Sequence, residues 1–240
     1  MKDPVRVLIL IGACCTILQA GPARTDPEEI VNSYCAVTRD QQQILNGASM
    51  EVEIDASLPK LKKYGRLHAL RRISALGRIT YERLRFDGDG AVKNYVIARY
   101  LSAEMENNED RGEELAVTPG NYNFKYKGLK ENEGRSIYVF ELSPRKKKVG
   151  LFKGEIWIDA ETYLRVRETG RFVKNPSIFL KKIEFVRTYE IRDGVSVPRQ
   201  IHSTVDTRLV GKAELTIDFT NIAFAERSNR QAALADVDGQ

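Results

Sequence analysis

The chain has 240 residues, 42% of them hydrophobic and 30% charged, with a formal net charge of +5 and a pI near 9.0. That balance excludes a wholly disordered polyelectrolyte, and the length suits one large all-β or α+β domain better than two. The positive charges are interleaved with carboxylates, and no basic stripe with stacking aromatics stands out, so nucleic acid is not an expected partner.

Lys2 and Arg6 introduce an apolar run from Val7 to Ala20, followed by the small residues Gly21 and Ala23 and the polar Arg24-Thr25-Asp26. This is the layout of an export signal over residues 1–23, and the run is short for a membrane span. A periplasmic location is therefore expected. Within the run, Ile11-Gly12-Ala13-Cys14 resembles a bacterial lipobox, which would leave Cys14 lipidated. The apolar stretch continues past it through Ile17 and Leu18, which favours plain secretion, with a retained anchor as a third reading. Cleavage beyond Ala20 leaves Cys35 alone, so no internal disulfide can form and the core must hold the fold.

The mature chain, residues 24–225, reads as a single domain. Asp26-Pro27-Glu28-Glu29 combines an N-cap, a first-turn proline and two carboxylates at the positive helix end, predicting a helix over 27–45 with Gly47 just past its end. Ser49–Ser57 alternates as a half-buried strand, and Arg66–Ser74 and Arg78–Phe86 are two more. Asp87-Gly88-Asp89-Gly90 has turn composition. Its faint likeness to a calcium loop lacks the acid expected downstream, so no metal is predicted. Asp89 is read as the cap of a second helix from Val92 to about Asn107, with Val92, Val96, Ile97, Leu101 and Met105 on its apolar side. That helix ends in acidic residues, which its negative end disfavours, and is expected to fray into a mobile acidic linker through Glu114.

Strands resume at Asn121. Tyr122, Phe124 and Tyr126 share one face, Glu131–Gly134 is a hairpin loop, and Ser136–Leu142 is apolar on both faces. The two helices are expected to supply its cover. After the basic loop Arg145, Lys146, Lys147 and Lys148, the segment Gly154–Phe224 reads as four or five long antiparallel strands. Ala213, Leu215, Ile217 and Phe219 mark the covered face of the last one. Residues 226–240 are expected to form a flexible tail.

No catalytic constellation can be assembled. His68 and His202 sit in strands without a ligand-spaced partner, Cys35 lies on an apolar helix face, and no nucleophile elbow, Walker loop, dinucleotide fingerprint or CxxC pair occurs. The expectation is a protein without enzymatic activity, cofactor or metal. A long curved sheet with two covering helices cannot fill its concave side as a closed barrel does, and a flexible hydrocarbon suits such a space. Each CH₂ moved from water gains about 0.8 kcal/mol, or roughly 10 kcal/mol for one acyl chain before ordering costs. Tyr122, Phe124, Tyr126, Ile97 and Leu101 are the predicted lipid lining; the other reading has them packing together with no ligand. Arg145, Lys146, Lys147 and Lys148 are either a solvated loop or a docking surface for anionic headgroups or an acidic envelope partner, worth about 1 kcal/mol per basic residue.

Several stretches taken together are similar to a known family. They are the capped first helix, Phe86-Asp87-Gly88-Asp89, the helix segment Val96-Ile97-Ala98-Arg99-Tyr100-Leu101, the run from Pro144 through Gly154-Glu155-Ile156-Trp157-Ile158-Asp159, and Tyr189 to Pro198 with Asp193-Gly194 at its turn. The chain resembles the bacterial outer-membrane lipoprotein-sorting (LolA-like) superfamily. The resemblance implies a mostly β fold, one large curved antiparallel sheet or half-open β-barrel of about eleven strands with two helices over its concave side. It also implies a carrier for lipid or lipoprotein acyl chains in the periplasm; a monomer is expected. No functional residue of that family can be placed on a particular residue here. The other reading is an envelope interaction, scaffold or sensor domain of the same fold with no bound lipid.

Overall fold

A computed structural model describes residues 26–110, 112–176, 180–208 and 211–225. The export signal, Cys14 and the tail after residue 225 lie outside the described residues. Helix α1 (Pro27–Leu45) begins as predicted, with the Asp26 carboxylate accepting the Glu28 N–H at 3.0 Å and Pro27 in its first turn. Gly47 follows its end in the left-handed region (φ +83°) and donates to the Ile73 carbonyl at 2.9 Å. Three strands come next: β1 (Ser49–Leu58), β2 (Lys63–Ile73) and β3 (Ile79–Gly88). Then α2 (Gly90–Val92), a π-helical turn (Lys93–Ile97) and α3 (Ala98–Asp110) run on as one crossing helix, capped by Asp89 on the Ala91 N–H at 2.8 Å. After α4 (Gly112–Leu115) the chain forms β4 (Tyr122–Asn132), β5 (Arg135–Pro144), β6 (Phe152–Asp159), β7 (Arg165–Phe172), β8 (Leu180–Arg192), β9 (Val195–Thr207) and β10 (Lys212–Ala223).

All ten strands belong to one open antiparallel sheet in the order β3-β2-β1-β10-β9-β8-β7-β6-β5-β4. The sheet has ten strands where about eleven were expected, and Gly154–Phe224 supplies five of them. Its topology turns on the meeting of the first strand with the last. Val52 faces Phe219, Ile54 faces Ile217 and Ala56 faces Leu215, all of them buried. A slip by one residue would turn each of these side chains to the other face, so the apolar alternation fixes the register. This pairing leaves β3 and β4, consecutive in sequence, at opposite edges. Residues 89–121 must therefore travel from one edge to the other, and the crossing helix does so over one face.

That covered face carries two apolar clusters. One joins β1, β2 and β10 to Val92, Ile97 and Leu101 of the crossing helix. The other joins Ile30, Val31 and Tyr34 of α1 to Phe140, Leu142, Phe152, Ile156, Ile158 and Phe185. The opposite, open face is wet along β1 and β2, where Arg66 holds Asp55 through two bonds of 2.7 and 2.9 Å.

Two expectations need correction. Ile137 and Val139 are buried on the open face, outside both apolar clusters that the described helices join; their cross-strand partners there are Asp159 and Trp157, and the Trp157 ring is itself overlaid by Lys130 and Arg167. The cover on that side comes from neighbouring strands. The acidic stretch is also helical further than predicted, through Asp110 and again over Gly112–Leu115. Part of the reason is that Glu104 is the partner of a buried arginine.

Where Gly154 faces Gly170, β6 and β7 approach without side chains between them. A Cβ on Gly154 would stand 1.9 Å from the Thr169 carbonyl oxygen, and one on Gly170 would stand 2.6 Å from that of Lys153. Gly154→Ala is expected to cost about 3 kcal/mol or more in urea unfolding, by forcing the two backbones apart. Gly90→Ala, with nothing within 4 Å of the added carbon, should stay within about 1 kcal/mol of the parent. Equal effects of the two substitutions would contradict the close approach.

Candidate functional site

The covered face does not gather the five predicted lining residues into one place. Ile97 and Leu101, 2% and 8% exposed, pack under the crossing helix in the first cluster. Tyr122, 1% exposed, belongs to the second cluster, with Phe124 and Tyr126 packed against it. Tyr122 tilts against Phe152 at 5.5 Å, and Phe124 meets Phe140 edge-on at 6.0 Å. In this conformation each of the five rests against protein side chains.

Charge lies on the same face. Arg71 sits on β2 between Ala69 and Ile73 in the apolar alternation, and its guanidinium meets Glu104 of α3 at 2.9 and 3.2 Å. The Tyr81 hydroxyl of β3 donates to the other oxygen of Glu104. The pair is sealed, with side chains 10% and 19% exposed, and it ties the crossing helix to β2 and β3. A second tie holds the start of that helix, where Lys63 meets Asp89 at 3.2 Å.

A second cluster lies on β7 and β8. The Glu168 side chain, 1% exposed, accepts from Arg165 at 3.2 Å, from Arg187 at 3.3 Å and from the Tyr189 hydroxyl at 3.0 Å. Glu168 faces Ile156 on β6 and Arg187 on β8, which puts it on the helix-covered face of both neighbours. Arg165 stacks over the Tyr189 ring at 4.5 Å, and Arg187 over the Phe185 ring at 4.5 Å. Tyr34 of α1 lies within electrostatic reach of Arg165 and Glu168, and Tyr100 of α3 within reach of Arg187. The cluster thus sits where the two helices and the two apolar clusters meet.

Burial alone would push the Glu168 carboxyl up, but Arg165, Arg187 and the Tyr189 hydroxyl outweigh it and hold its pKa below the usual value. Burial pushes the Tyr189 phenol up to about 12, so it stays a neutral donor. Burial also opposes the charge on Arg71, and the facing Glu104 more than offsets it, so Arg71 stays protonated. None of these six residues was singled out from the sequence. The signal was present: Arg71 shares parity with Leu67, Ala69 and Ile73, Arg187 and Tyr189 share it with Ile183 and Phe185, and Glu104 follows Ile97 and Leu101 at helical spacing.

The basic loop is partly engaged within the molecule. Arg145 donates to the Pro119 carbonyl at 2.7 Å and Lys148 pairs with Glu114, while Lys146 and Lys147 are exposed. His68 and His202 lie on the open face, near Glu53 and Thr216 respectively. Cys35 is half-buried, and burial pushes its thiol up. Among the described residues no group of three or more His, Cys, Asp or Glu could hold a metal ion, and no helix is long and apolar enough to cross a membrane. A cavity of about 530 Å³ opens largely on the uncovered side, rimmed by Lys153, Thr169, Arg171, Glu184 and His202. Phe185, Val186 and the paired glycines Gly154 and Gly170 line it as well, so the rim mixes charged and apolar groups.

Glu104→Ala would strand the Arg71 guanidinium in an apolar layer and should cost about 3 kcal/mol in urea unfolding. Arg71→Met combined with Glu104→Leu should recover most of that loss; no recovery would mean the pair does more than neutralise itself. Glu168 has a lowered folded pKa, so its stabilisation is complete above the ordinary value of 4.5 and disappears as pH falls through the depressed one. Unfolding free energy measured against pH should therefore fall less steeply on the acid side in Glu168→Gln than in the parent. Parallel acid limbs would contradict the assignment.

No family model and no curated protein sequence matches the chain. Solved structures do resemble it in chain course. A DUF1329 family protein from Desulfovibrio piger is 17% identical with a TM-score of 0.46, covering 84% of this chain and 94% of its own. A LolA superfamily protein from Nitrosomonas europaea is 12% identical with a TM-score of 0.40, covering 79% and 92%. A domain assigned to outer-membrane lipoprotein sorting in Vibrio parahaemolyticus is 12% identical with a TM-score of 0.40, covering 79% and 91%. These neighbours include the superfamily that the sequence resembles, and at such values the likeness says nothing about ligand.

Proposed function

We propose that the chain is a periplasmic, non-enzymatic carrier that takes the acyl chain of a lipid or lipoprotein beneath its crossing helix. The observation that carries this reading is how that helix is held. Val92, Ile97 and Leu101 form an apolar layer against β1, β2 and β10, while polar ties stand at the helix start (Lys63–Asp89) and further along it (Arg71–Glu104). Release of the Arg71–Glu104 tie frees the helix to lift from its capped start, which exposes a greasy layer on both sides. The π-helical turn Lys93–Ile97 lies within the lifting segment, and such turns concentrate where helices serve function. An acyl chain then replaces the helix side chains, and no reaction is required of the protein.

A second reading keeps the interior closed and makes the chain an envelope interaction domain. The burial of Ile97, Leu101 and Tyr122 against protein neighbours favours it. In that case the exposed Lys146 and Lys147 are the expected docking surface for an acidic partner or anionic membrane.

Titration of delipidated protein with a fluorescent fatty acid separates the two. Saturable uptake of one equivalent, displaced by unlabelled palmitate, is the carrier's expected result. Absence of uptake supports the closed interaction domain. For the loop, Lys146→Glu with Lys147→Glu should weaken association with anionic vesicles at least tenfold, at about 1 kcal/mol per basic residue. Unchanged association would leave the loop a solvated turn.

A further inference from the structure

The Arg71–Glu104 tie is balanced, one guanidinium against one carboxylate, and sealed. The β7–β8 cluster is neither. Two guanidiniums share the single carboxylate of Glu168, and the remaining neighbours, Tyr34, Tyr100 and Tyr189, are phenols. Burial acts to keep all three of those phenols protonated, so the cluster carries one uncompensated positive charge on the covered face. A purely structural ion pair needs no second arginine, and a desolvated excess charge is costly to keep.

The geometry also leaves the arginines with unused capacity. Among the described residues each gives Glu168 one Nη1 hydrogen bond, at 3.2 and 3.3 Å, although a guanidinium has five N–H donors and can grip a carboxylate through two at once. Exposure separates the partners in the same sense: the Glu168 side chain is 1% exposed, whereas those of Arg165 and Arg187 are 31% and 34% exposed. The carboxylate is sealed beneath, while about a third of each arginine side chain is reachable. The arginines lie where Tyr34 of α1 and Tyr100 of α3 converge, and Arg187 rests on Phe185 of the α1-side apolar cluster.

We propose that Arg165 and Arg187 form a paired guanidinium site for the carboxylate or phosphate headgroup of an acyl-chain ligand, with Glu168 holding the two side chains in position. This rests on the carrier reading and narrows it. The acylated end of a lipoprotein offers no such anion, whereas a fatty acid or phospholipid does. The acyl chain leaves the headgroup past Tyr100 for the layer beneath the crossing helix, and the headgroup supplies the charge that Glu168 alone cannot.

The test compares oleate with methyl oleate, which share a chain and differ in the anion, on delipidated full-length mature protein. Oleate should bind at least tenfold more tightly, and Arg187→Gln should collapse that ratio towards one. Glu168→Gln removes the internal competitor without removing a donor and should raise the ratio, a gain that mere loss of fold cannot imitate. Equal binding of the two probes by the parent overturns the headgroup site and leaves the carrier reading intact. A ratio retained in Arg187→Gln also overturns it. If neither probe binds, the carrier reading fails, and inorganic phosphate decides the rest. Thermal stabilisation of the parent that is lost in Arg187→Gln would show a site for free anion, and no stabilisation would sink the anion site as well.

Discussion

The pairing of β1 with β10 is the constraint on which the rest of the molecule depends. It joins the first strand in the chain to the last through Val52–Phe219, Ile54–Ile217 and Ala56–Leu215. A simple meander would have left residues 89–121 as an ordinary edge connection. Because the first and last strands of the chain meet inside the sheet, that segment has to cross the face, and a helix is the economical way to cross without leaving backbone donors unpaired. The apolar stripe of the crossing helix and the apolar side of β1, β2 and β10 answer the same requirement. The α1 helix covers the other half of that face in the same manner, and the two covers meet over a polar junction.

That junction changes what the interior can do. An uninterrupted apolar floor would accept any hydrocarbon and select nothing. Arg71 and Glu104 instead make one point of attachment for the crossing helix, specific in position and modest in net stabilisation, because a buried ion pair recovers little more than its own desolvation. Arg165, Glu168 and Arg187 place charge between the two apolar clusters, with the Glu168 side chain more deeply buried than those of the arginines. A layer held by two ties can open; a layer interlocked by many hydrogen bonds cannot do so readily. The same arrangement accounts for the burial of Ile97 and Leu101 beneath the crossing helix and of Tyr122 in the α1-side cluster.

The architecture was largely legible in the sequence because period-two and helical alternation report which face is covered. Asp26 and Asp89 marked both helix starts, Asp193-Gly194 marked the β8–β9 turn, and Ala213 to Phe219 displayed the covered side of β10. The cover over Ile137 and Val139 was misjudged because alternation shows that a face is buried and not by what. The site was less legible. Tyr122, Phe124 and Tyr126 were correctly placed on one face, but Ile97 and Leu101 fall in a different cluster, and clustering depends on strand order that a sequence does not display. The arginines were passed over because a charge inside an apolar alternation reads as noise until its partner, 33 residues away for Arg71 and Glu104, is brought beside it.

Native mass spectrometry of protein isolated from the cell envelope without detergent or organic solvent tests the carrier account most directly. It predicts one acyl lipid per chain, lost on organic extraction and regained on adding the lipid back. A chain that emerges bare from the envelope, and stays bare when offered fatty acid or phospholipid, would contradict it.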